Sequence, residues 1–314
     1  MPEIQRVTVL AAYGKVGRRL VRYLVAQGVA VRAVGRDRPR SVDVCQGLPS
    51  GEGLPAVEVE QRVADIYDPA ALALALAGSR VVVSCADAMS VENILSALPD
   101  SVTRFVMLGS TRKFTAFPDP LAEQVTRAER LLAKANQPSE NAGGQLSGRS
   151  FLILHPTMIY GAGAQGTVDR ILAFIRRFAV VALPKAGRVL VQPIHVDDVV
   201  ASLAAAALLP DLDPGPIVIA GGQVLTYEKL VRMCAKAVGR KVWIVPAPVG
   251  LLLAICGLAE RFGVKLPMSR TEVLRLTEDK AFAIDHMVAR LGVHPVSFEV
   301  GLGKMLEAGP QSIR

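Results

Sequence analysis

The sequence predicts an α/β fold, a doubly wound parallel sheet of Rossmann type with a small, mainly helical C-terminal lobe. Two observations lead there. Short β-branched runs alternate with helical patterns through the first half of the chain, at spacings that suit βαβ crossovers rather than hairpins. The first of these runs also passes through Ala11-Ala12-Tyr13-Gly14-Lys15-Val16-Gly17 directly into a helical pattern, which is the strand, turn and helix context of a dinucleotide fingerprint.

In chain order, the expected strands are Val7 to Ala11, Val29 to Gly35, Val57 to Val63, Arg80 to Cys85, Arg104 to Gly109 and Phe151 to His155, with Ile217 to Ala220 as a seventh. Most are continuously apolar, as strands covered on both faces must be. Helical patterns fall between them at Val16 to Gln27, Pro69 to Ala77, Val91 to Leu98 and Leu121 to Ala135. Right-handed crossovers would spread these over both faces of the sheet. After Pro156 the rhythm changes to helical stretches at 167–178, 197–209, 226–238, 248–262 and 298–308. The expected organisation is a dinucleotide-binding domain over 1–160, completed by 190–222, with 161–189 and 223–314 forming a lobe that closes over the nicotinamide end. Two surface loops are expected, at 46–55 and 136–150.

Composition excludes several classes. With 314 residues, 51% apolar and 20% charged, the chain suits one large domain or two joined ones and is not disordered. Lys and Arg number 36 against 28 Asp and Glu, a net charge of +8, but the cations are spread out. The tightest groups, Arg36, Arg38 and Arg40 and then Arg176 and Arg177, are too short for a nucleic-acid arm and lack interleaved aromatics. Cysteines at 45, 85, 234 and 256 and histidines at 155, 195, 286 and 294 show no metal-ligand spacing, so no metal is expected. The cysteines read as small buried hydrophobes of a reducing compartment. A strand-like run beginning near Arg6 leaves no room for a signal peptide. The longest apolar stretch, Val249 to Ala259, is shorter than the roughly 18 residues of a membrane span, so a soluble cytoplasmic protein is expected.

The loop Ala12, Tyr13, Gly14, Lys15, Val16 and Gly17 is the candidate pyrophosphate cradle, formed by backbone N–H groups at a helix start. Gly14 would let the backbone approach the phosphates, and Gly17 would let the helix pack closely on the strand. Ala11 stands where such loops carry their first glycine. Because alanine disfavours a positive φ, either the turn is altered or cofactor affinity is lowered. At the end of the second strand, where NAD-binding folds hold a carboxylate for the ribose, this chain has Gly35-Arg36. An arginine there suits a 2′-phosphate, so NADP(H) is favoured and NAD(H) remains possible.

These residues, together with Asp65-Ile66, Ser84-Cys85-Ala86, the run His155-Pro156-Thr157-Met158-Ile159-Tyr160-Gly161 and Gln192-Pro193-Ile194-His195-Val196-Asp197-Asp198, resemble the NAD-dependent epimerase/dehydratase group. That group belongs to the extended and atypical short-chain dehydrogenase/reductase superfamily. Leu225-Thr226-Tyr227 and Leu291-Gly292-Val293-His294-Pro295 extend the likeness over nearly the whole chain, and it is most similar to the branch of the complex I 39 kDa-type accessory subunit. The resemblance implies that Asp65 and Ile66 flank the adenine, that Ala86 faces the ribose region and that Pro156 lies by the nicotinamide.

The chain departs from that pattern where the chemistry lies. The superfamily moves its proton with a Tyr-x-x-x-Lys pair on the helix after the fifth strand, lysine lowering the tyrosine pKa. Matching Ala128-Glu129 to the family's Ala-Glu puts Leu121 and Val125 in those places, and none of the five tyrosines has a lysine four residues on. Thr111 matches the family's catalytic hydroxyl, and Lys113 is either a substitute proton donor or an exposed loop lysine. Where nucleotide-sugar enzymes hold a diphosphate with arginine, the chain has Val191, so that substrate class is disfavoured. His155 and His195 read as hydrogen-bonded structural residues, and Asp197 and Asp198 as caps of the next helix.

Two functions stay open. One is a slow oxidoreductase acting on an apolar carbonyl or quinone-like small molecule. The other is a non-catalytic accessory, assembly or redox-sensing protein bound to a protein complex. The stretch from Val249 to Val264, apolar nearly all round, is expected to be buried as one wall of a greasy cleft. The alternative is peripheral docking on a membrane, helped by Arg261, Lys265 and Arg270.

Overall fold

Runs such as Val7-Thr8-Val9-Leu10 and Val81-Val82-Val83 form strands because branched and apolar side chains suit a sheet covered on both faces. The computed structural model describes residues 6–36, 57, 59–137, 149–162, 166–263 and 269–308. Its central sheet has seven strands: β1 (Arg6–Leu10), β2 (Ala30–Gly35), β3 (Val59–Val63), β4 (Val81–Ser84), β5 (Arg104–Leu108), β6 (Ser150–Pro156) and β11 (Gly215–Ile219). Their spatial order is β11-β6-β5-β4-β1-β2-β3, and every neighbouring pair is parallel. The order reverses between β1 and β4, which opens a crevice at the carboxyl ends of those strands, the place where such sheets bind ligands.

Helices cover both faces. On one side α1 (Lys15–Ala26), α6 (Val196–Leu208) and α10 (Asp285–Leu291) pack with Val7, Val9, Val31 and Leu152. On the other, α2 (Pro69–Leu76), α3 (Val91–Ala97) and α4 (Pro120–Ala135) pack with Leu10, Val82, Phe105 and Ile153. Asp68 and Asp119 cap α2 and α4 through their side chains, each followed by a proline at the first helical position.

The small lobe has its own core around Tyr160, Leu172, Leu230 and Phe298. It contains α5 (Thr167–Arg177), α7 (Tyr227–Ala237), α8 (Val249–Arg261), α9 (Arg270–Arg275) and α11 (Phe298–Glu307). Three short strand pairs accompany it: β7 (Ile159–Tyr160) with β10 (Ile194–His195), β8 (Val180–Leu183) with β13 (Trp243–Pro246), and β9 (Leu190–Val191) with β12 (Leu225–Thr226). No described helix is long and apolar enough to cross a membrane. The expected loop at 46–55, most of the one at 136–150, and Arg38, Arg40, Cys45 and Lys265 lie outside the described residues.

Two expectations are corrected. Asp197 and Asp198 do not cap α6. That helix starts at Val196, so the cap is His195, whose Nδ1 accepts the Asp197 N–H. The carboxylates point elsewhere: Asp197 pairs with Arg19 of α1 at 2.9 Å, and buried Asp198 accepts the Val296 N–H. Nor does α8 wall a cleft. It buries only Cys256, while Leu251, Ile255 and Leu258 are 55%, 47% and 59% exposed. Its main neighbour, α9, has only six residues, too short to cover a helix that is apolar on every side.

Candidate functional site

The loop after β1 turns sharply at Ala11. Ala11 adopts φ +54, and the Gly14 N–H closes the turn on the Ala11 carbonyl at 3.0 Å. Ala11 thus sits in the left-handed region that alanine disfavours. Ala11→Gly is therefore expected to stabilise the fold by about 1 kcal/mol, seen as a higher urea midpoint. A lower midpoint would show that the turn carries no strain.

α1 meets this loop closely. A Cβ on Gly17 would lie 2.2 Å from the Ala11 carbonyl oxygen, and one on Gly35 would strike the Tyr13 ring at 2.5 Å. Gly14, at φ −70, caps α1 without a side-chain hydrogen bond, and the first turn contains no acidic residue. Its N–H groups and the positive end of the helix dipole thus face the crevice without a carboxylate to compete for them. These residues fit the pyrophosphate of a dinucleotide.

Beside the loop, Arg36 is exposed at the carboxyl end of β2. After β3, Asp65 accepts the Tyr67 N–H at 3.0 Å, and the Tyr67 hydroxyl donates to Asp87 at 3.1 Å. Burial and then Asp87 push the Tyr67 phenol up, while the nearby Arg36 charge works against them. Arg36, Asp65, Tyr67 and Asp87 therefore form one electrostatic group at the ends of β2, β3 and β4. Ile66 is half-buried against the α2 and α3 side, and the Ala86 N–H donates to Ser84 Oγ at 3.3 Å. Tyr67 and Asp87 were not singled out in the sequence, because loop residues 20 apart carry no periodic signal.

At the carboxyl end of β5, the chain forms a 3-10 turn at Thr111–Phe114, capped by Ser110 Oγ on the Arg112 N–H. Buried Thr111 donates its hydroxyl to the Pro156 carbonyl at 3.0 Å. Lys113 is not the exposed loop lysine that was one of its two expected readings: its Nζ forms an ion pair with Glu129 of α4, and both side chains are largely covered. Glu129 Oε2 in turn meets His155 Nε2 at 2.7 Å, and the Ser110 N–H donates to His155 Nδ1 at 3.2 Å. Since Nδ1 accepts, the ring proton sits on Nε2. Burial first, and then the Lys113 charge, hold the His155 pKa down to about 4. Gly109 makes room for this, as a Cβ there would stand 2.6 Å from the imidazole.

Leu121, in the first turn of α4, is 49% exposed, and Val125 is buried. Leu121 lines a 300 Å³ cavity with Arg112, Asp119, Thr271, Glu272 and Arg275. This cavity at the start of α4 is therefore lined largely by charged side chains. Arg112 lies 3.4 Å from Asp119, and Arg275 Nε is buried without a hydrogen-bond partner. Lys280, which the sequence reading missed, donates to the Arg275 carbonyl at 2.9 Å, and burial followed by the Arg275 charge lowers its pKa to about 8.

Comparison with known proteins agrees with this geometry. The chain is 28% identical over 256 residues to the uncharacterized protein Rv2047c of Mycobacterium tuberculosis, a match covering 78% of this chain and 24% of that protein. An uncharacterized Mycobacterium bovis protein matches to the same extent. The chain thus spans about a quarter of the length of these curated relatives. Among solved structures, MoeE5 in complex with UDP-glucose and NAD superposes with a TM-score of 0.68 at 20% identity, covering 96% of this chain and 97% of that one. The UDP-glucose 4-epimerase of Thermotoga maritima gives 0.66 at 17%, with coverages of 96% and 97%. TunA, an NAD-dependent NDP-hexosamine 5,6-dehydratase, gives 0.65 at 16%, covering 98% of each chain. At these identities the likeness is one of fold. Residues 11–172, more than half of the chain, match the NAD(P)H-binding family, and the protein belongs to that family, on the fold shared by NAD-dependent epimerases and dehydratases.

Proposed function

We propose that the protein binds NADP(H) in preference to NAD(H) and holds it without a fast proton relay, as the nicotinamide-bearing component of an accessory, assembly or redox-sensing system. The observation that carries this reading is the commitment of the two candidate groups. Lys113 is held by Glu129, and the Thr111 hydroxyl by the Pro156 carbonyl. Leu121 and Val125, which occupy the places of the superfamily's tyrosine and lysine, cannot titrate. A bound nicotinamide supplies or accepts hydride; the chain's part is to cradle the phosphates and to orient the ring near Pro156 and Thr111. The resemblance to the complex I accessory subunits supports the same reading.

One observation favours a second reading, slow reduction of a small carbonyl or quinone-like molecule. Lys280, with its pKa near 8, is a half-covered cation beside Arg112 and Arg275 that could give up a proton near neutral pH. Steady-state NADPH oxidation against aldehydes, ketones, quinones and nucleotide sugars separates the two readings. Turnover that falls in Lys280→Met would establish the second, and no turnover above the solution rate is expected from the first.

Cofactor choice rests on Arg36. A guanidinium contact with a 2′-phosphate contributes about 1.5–3 kcal/mol, so Arg36→Ala is expected to weaken NADPH roughly 10- to 150-fold and to leave NADH nearly unchanged. Calorimetric titration of both cofactors checks it. Equal affinities in the native protein would sink the preference.

A further inference from the structure

We propose that the outer face of the small lobe, built from α8 and the β8–β13 pair, docks on an anionic lipid bilayer. The proposal starts from sheet geometry. β8 and β13 pair in parallel, with Trp243 opposite Val180 and Val245 opposite Ala182. A two-residue period puts these four side chains on one face, and that face is open: Trp243 is 75% exposed and Val180 51%. Phe178, which leads into β8, is also exposed. β13 then runs through Ala247 and Pro248 into α8, whose Leu251, Ile255 and Leu258 are bare, and Phe262 beyond its end is 71% exposed. Ala247 and Pro248 join β13 and α8 along the chain, and this many exposed large apolar side chains on consecutive elements marks a binding face.

Charge identifies what covers it. The two strands begin side by side, with the Trp243 N–H donating to the Ala179 carbonyl at 2.7 Å. The cationic ends of two helices are brought to that point: Arg176 and Arg177 close α5, and Lys236, Arg240 and Lys241 follow along and after α7. An open groove beside Trp243 is lined by Arg232, Lys236, Arg240 and Lys241 with no carboxylate among its lining residues. Glu228 pairs with Arg232 at 2.8 Å, and the Arg177 guanidinium lies 5.5 Å from the Phe178 ring. Glu260 and Arg261 offset each other at the end of α8. Exposed aromatic side chains, cations at the strand start next to them and an aliphatic helix directly after the strand are the composition of a surface that rests in a headgroup layer. A nucleic acid would use the cations and Trp243 but would leave the aliphatic residues of α8 in water, so the observations favour the bilayer.

Trp243 is the chain's single tryptophan, which makes it a reporter for this face. The experiment is flotation of the full chain with vesicles of phosphatidylcholine alone, or of phosphatidylcholine mixed with phosphatidylglycerol, while tryptophan emission is followed. The expected result is salt-sensitive binding to the anionic vesicles only, with a blue shift of Trp243 emission and quenching by brominated acyl chains. Each cation near the surface should be worth about a fivefold change in partitioning, so Arg240→Glu with Lys241→Glu should lower it at least 25-fold. Leu258→Glu should abolish binding. All three positions lie on the surface, and unchanged circular dichroism confirms that the variants are folded.

Flotation without any change in Trp243 emission would place the contact on another face and overturn the proposal. Absence of flotation would overturn it as well. In that case, concentration-dependent dimerisation broken by Leu258→Glu would assign the face to a second copy, and oligonucleotide binding lost in the Arg240, Lys241 variant would assign it to nucleic acid.

Discussion

Gly17→Ala is expected to remove cofactor binding and about 3 kcal/mol of stability, the upper end of what overpacking a close contact costs. The added Cβ would lie 2.2 Å from the Ala11 carbonyl oxygen and 3.0 Å from both Ala11 C and Ala12 Cα. All three atoms are backbone, so no side chain can rotate away. α1 must move off β1, and the N–H groups of its first turn move with it. Gly14→Ala is the informative partner. Gly14 has φ −70, and its Cβ would sit 3.2 Å from the same oxygen, a contact relieved by a shift of a few tenths of an ångström. This variant should keep its urea midpoint and lose more than tenfold in NADPH affinity, because the methyl group projects where phosphate must approach backbone. If Gly14→Ala bound NADPH as tightly as the native protein, the cradle would have been placed on the wrong loop.

Most of the sheet was readable because β1, β2, β4, β5, β6 and β11 are runs of largely branched or apolar residues, and a helix follows β1, β3, β4 and β5, so local pattern and global topology agree there. β3, Val59-Glu60-Gln61-Arg62-Val63, is an edge strand with a mostly polar sequence. β7, β9, β10 and β12 have two residues each, too few for any period, and they exist only because tertiary packing aligns them. α9 and α10 are six and seven residues long and escape the same kind of reading. The error at α6 has a different origin. Asp-Asp ahead of an apolar run is a good cap signal, but the β7–β10 pairing fixes His195 in extended backbone one residue earlier, and its imidazole takes the N–H first.

The site divides in the same way. The phosphate loop is contiguous, so its residues, Ala12 to Gly17, could be recognised together. Lys113, Glu129 and His155 lie on three separate elements, and a one-dimensional reading has no means of bringing them into contact. The hydrogen-bonded, structural character of His155 is legible from its place at the end of an apolar run, but its partners Glu129 and Ser110 are not. α8 shows the converse limit: an apolar pattern reports a tendency to leave water, and the protein's own packing is only one way to satisfy it.

Falling pH is expected to destabilise the protein between pH 6.5 and about 4 through His155, the second of the two large effects. The imidazole is fully buried. It accepts the Ser110 N–H on Nδ1 and turns its Nε2 proton toward Glu129. Protonating Nδ1 would break the first bond and place a cation in the interior near Lys113, which is why burial and then Lys113 lower its pKa from 6.5 to about 4. Within that interval the unfolded chain binds a proton that the folded chain refuses. The stabilisation is thus complete above the unfolded value and is lost as pH drops toward the folded one, about 3 kcal/mol in all. Glu129 continues the trend at lower pH: although burial alone would raise its pKa, the Lys113 and His155 interactions lower it overall. Urea midpoints from about pH 7.5 to about pH 4 measure the slope. His155→Gln retains one acceptor and one donor without a titrating ring and should flatten it, while Lys113→Met, by removing the opposing charge, should raise the His155 pKa and narrow the window. A native slope no steeper than that of His155→Gln would show that the ring is already charged in the folded state. That result would reopen its use as an acid, which a group neutral down to pH 4 cannot serve at neutral pH.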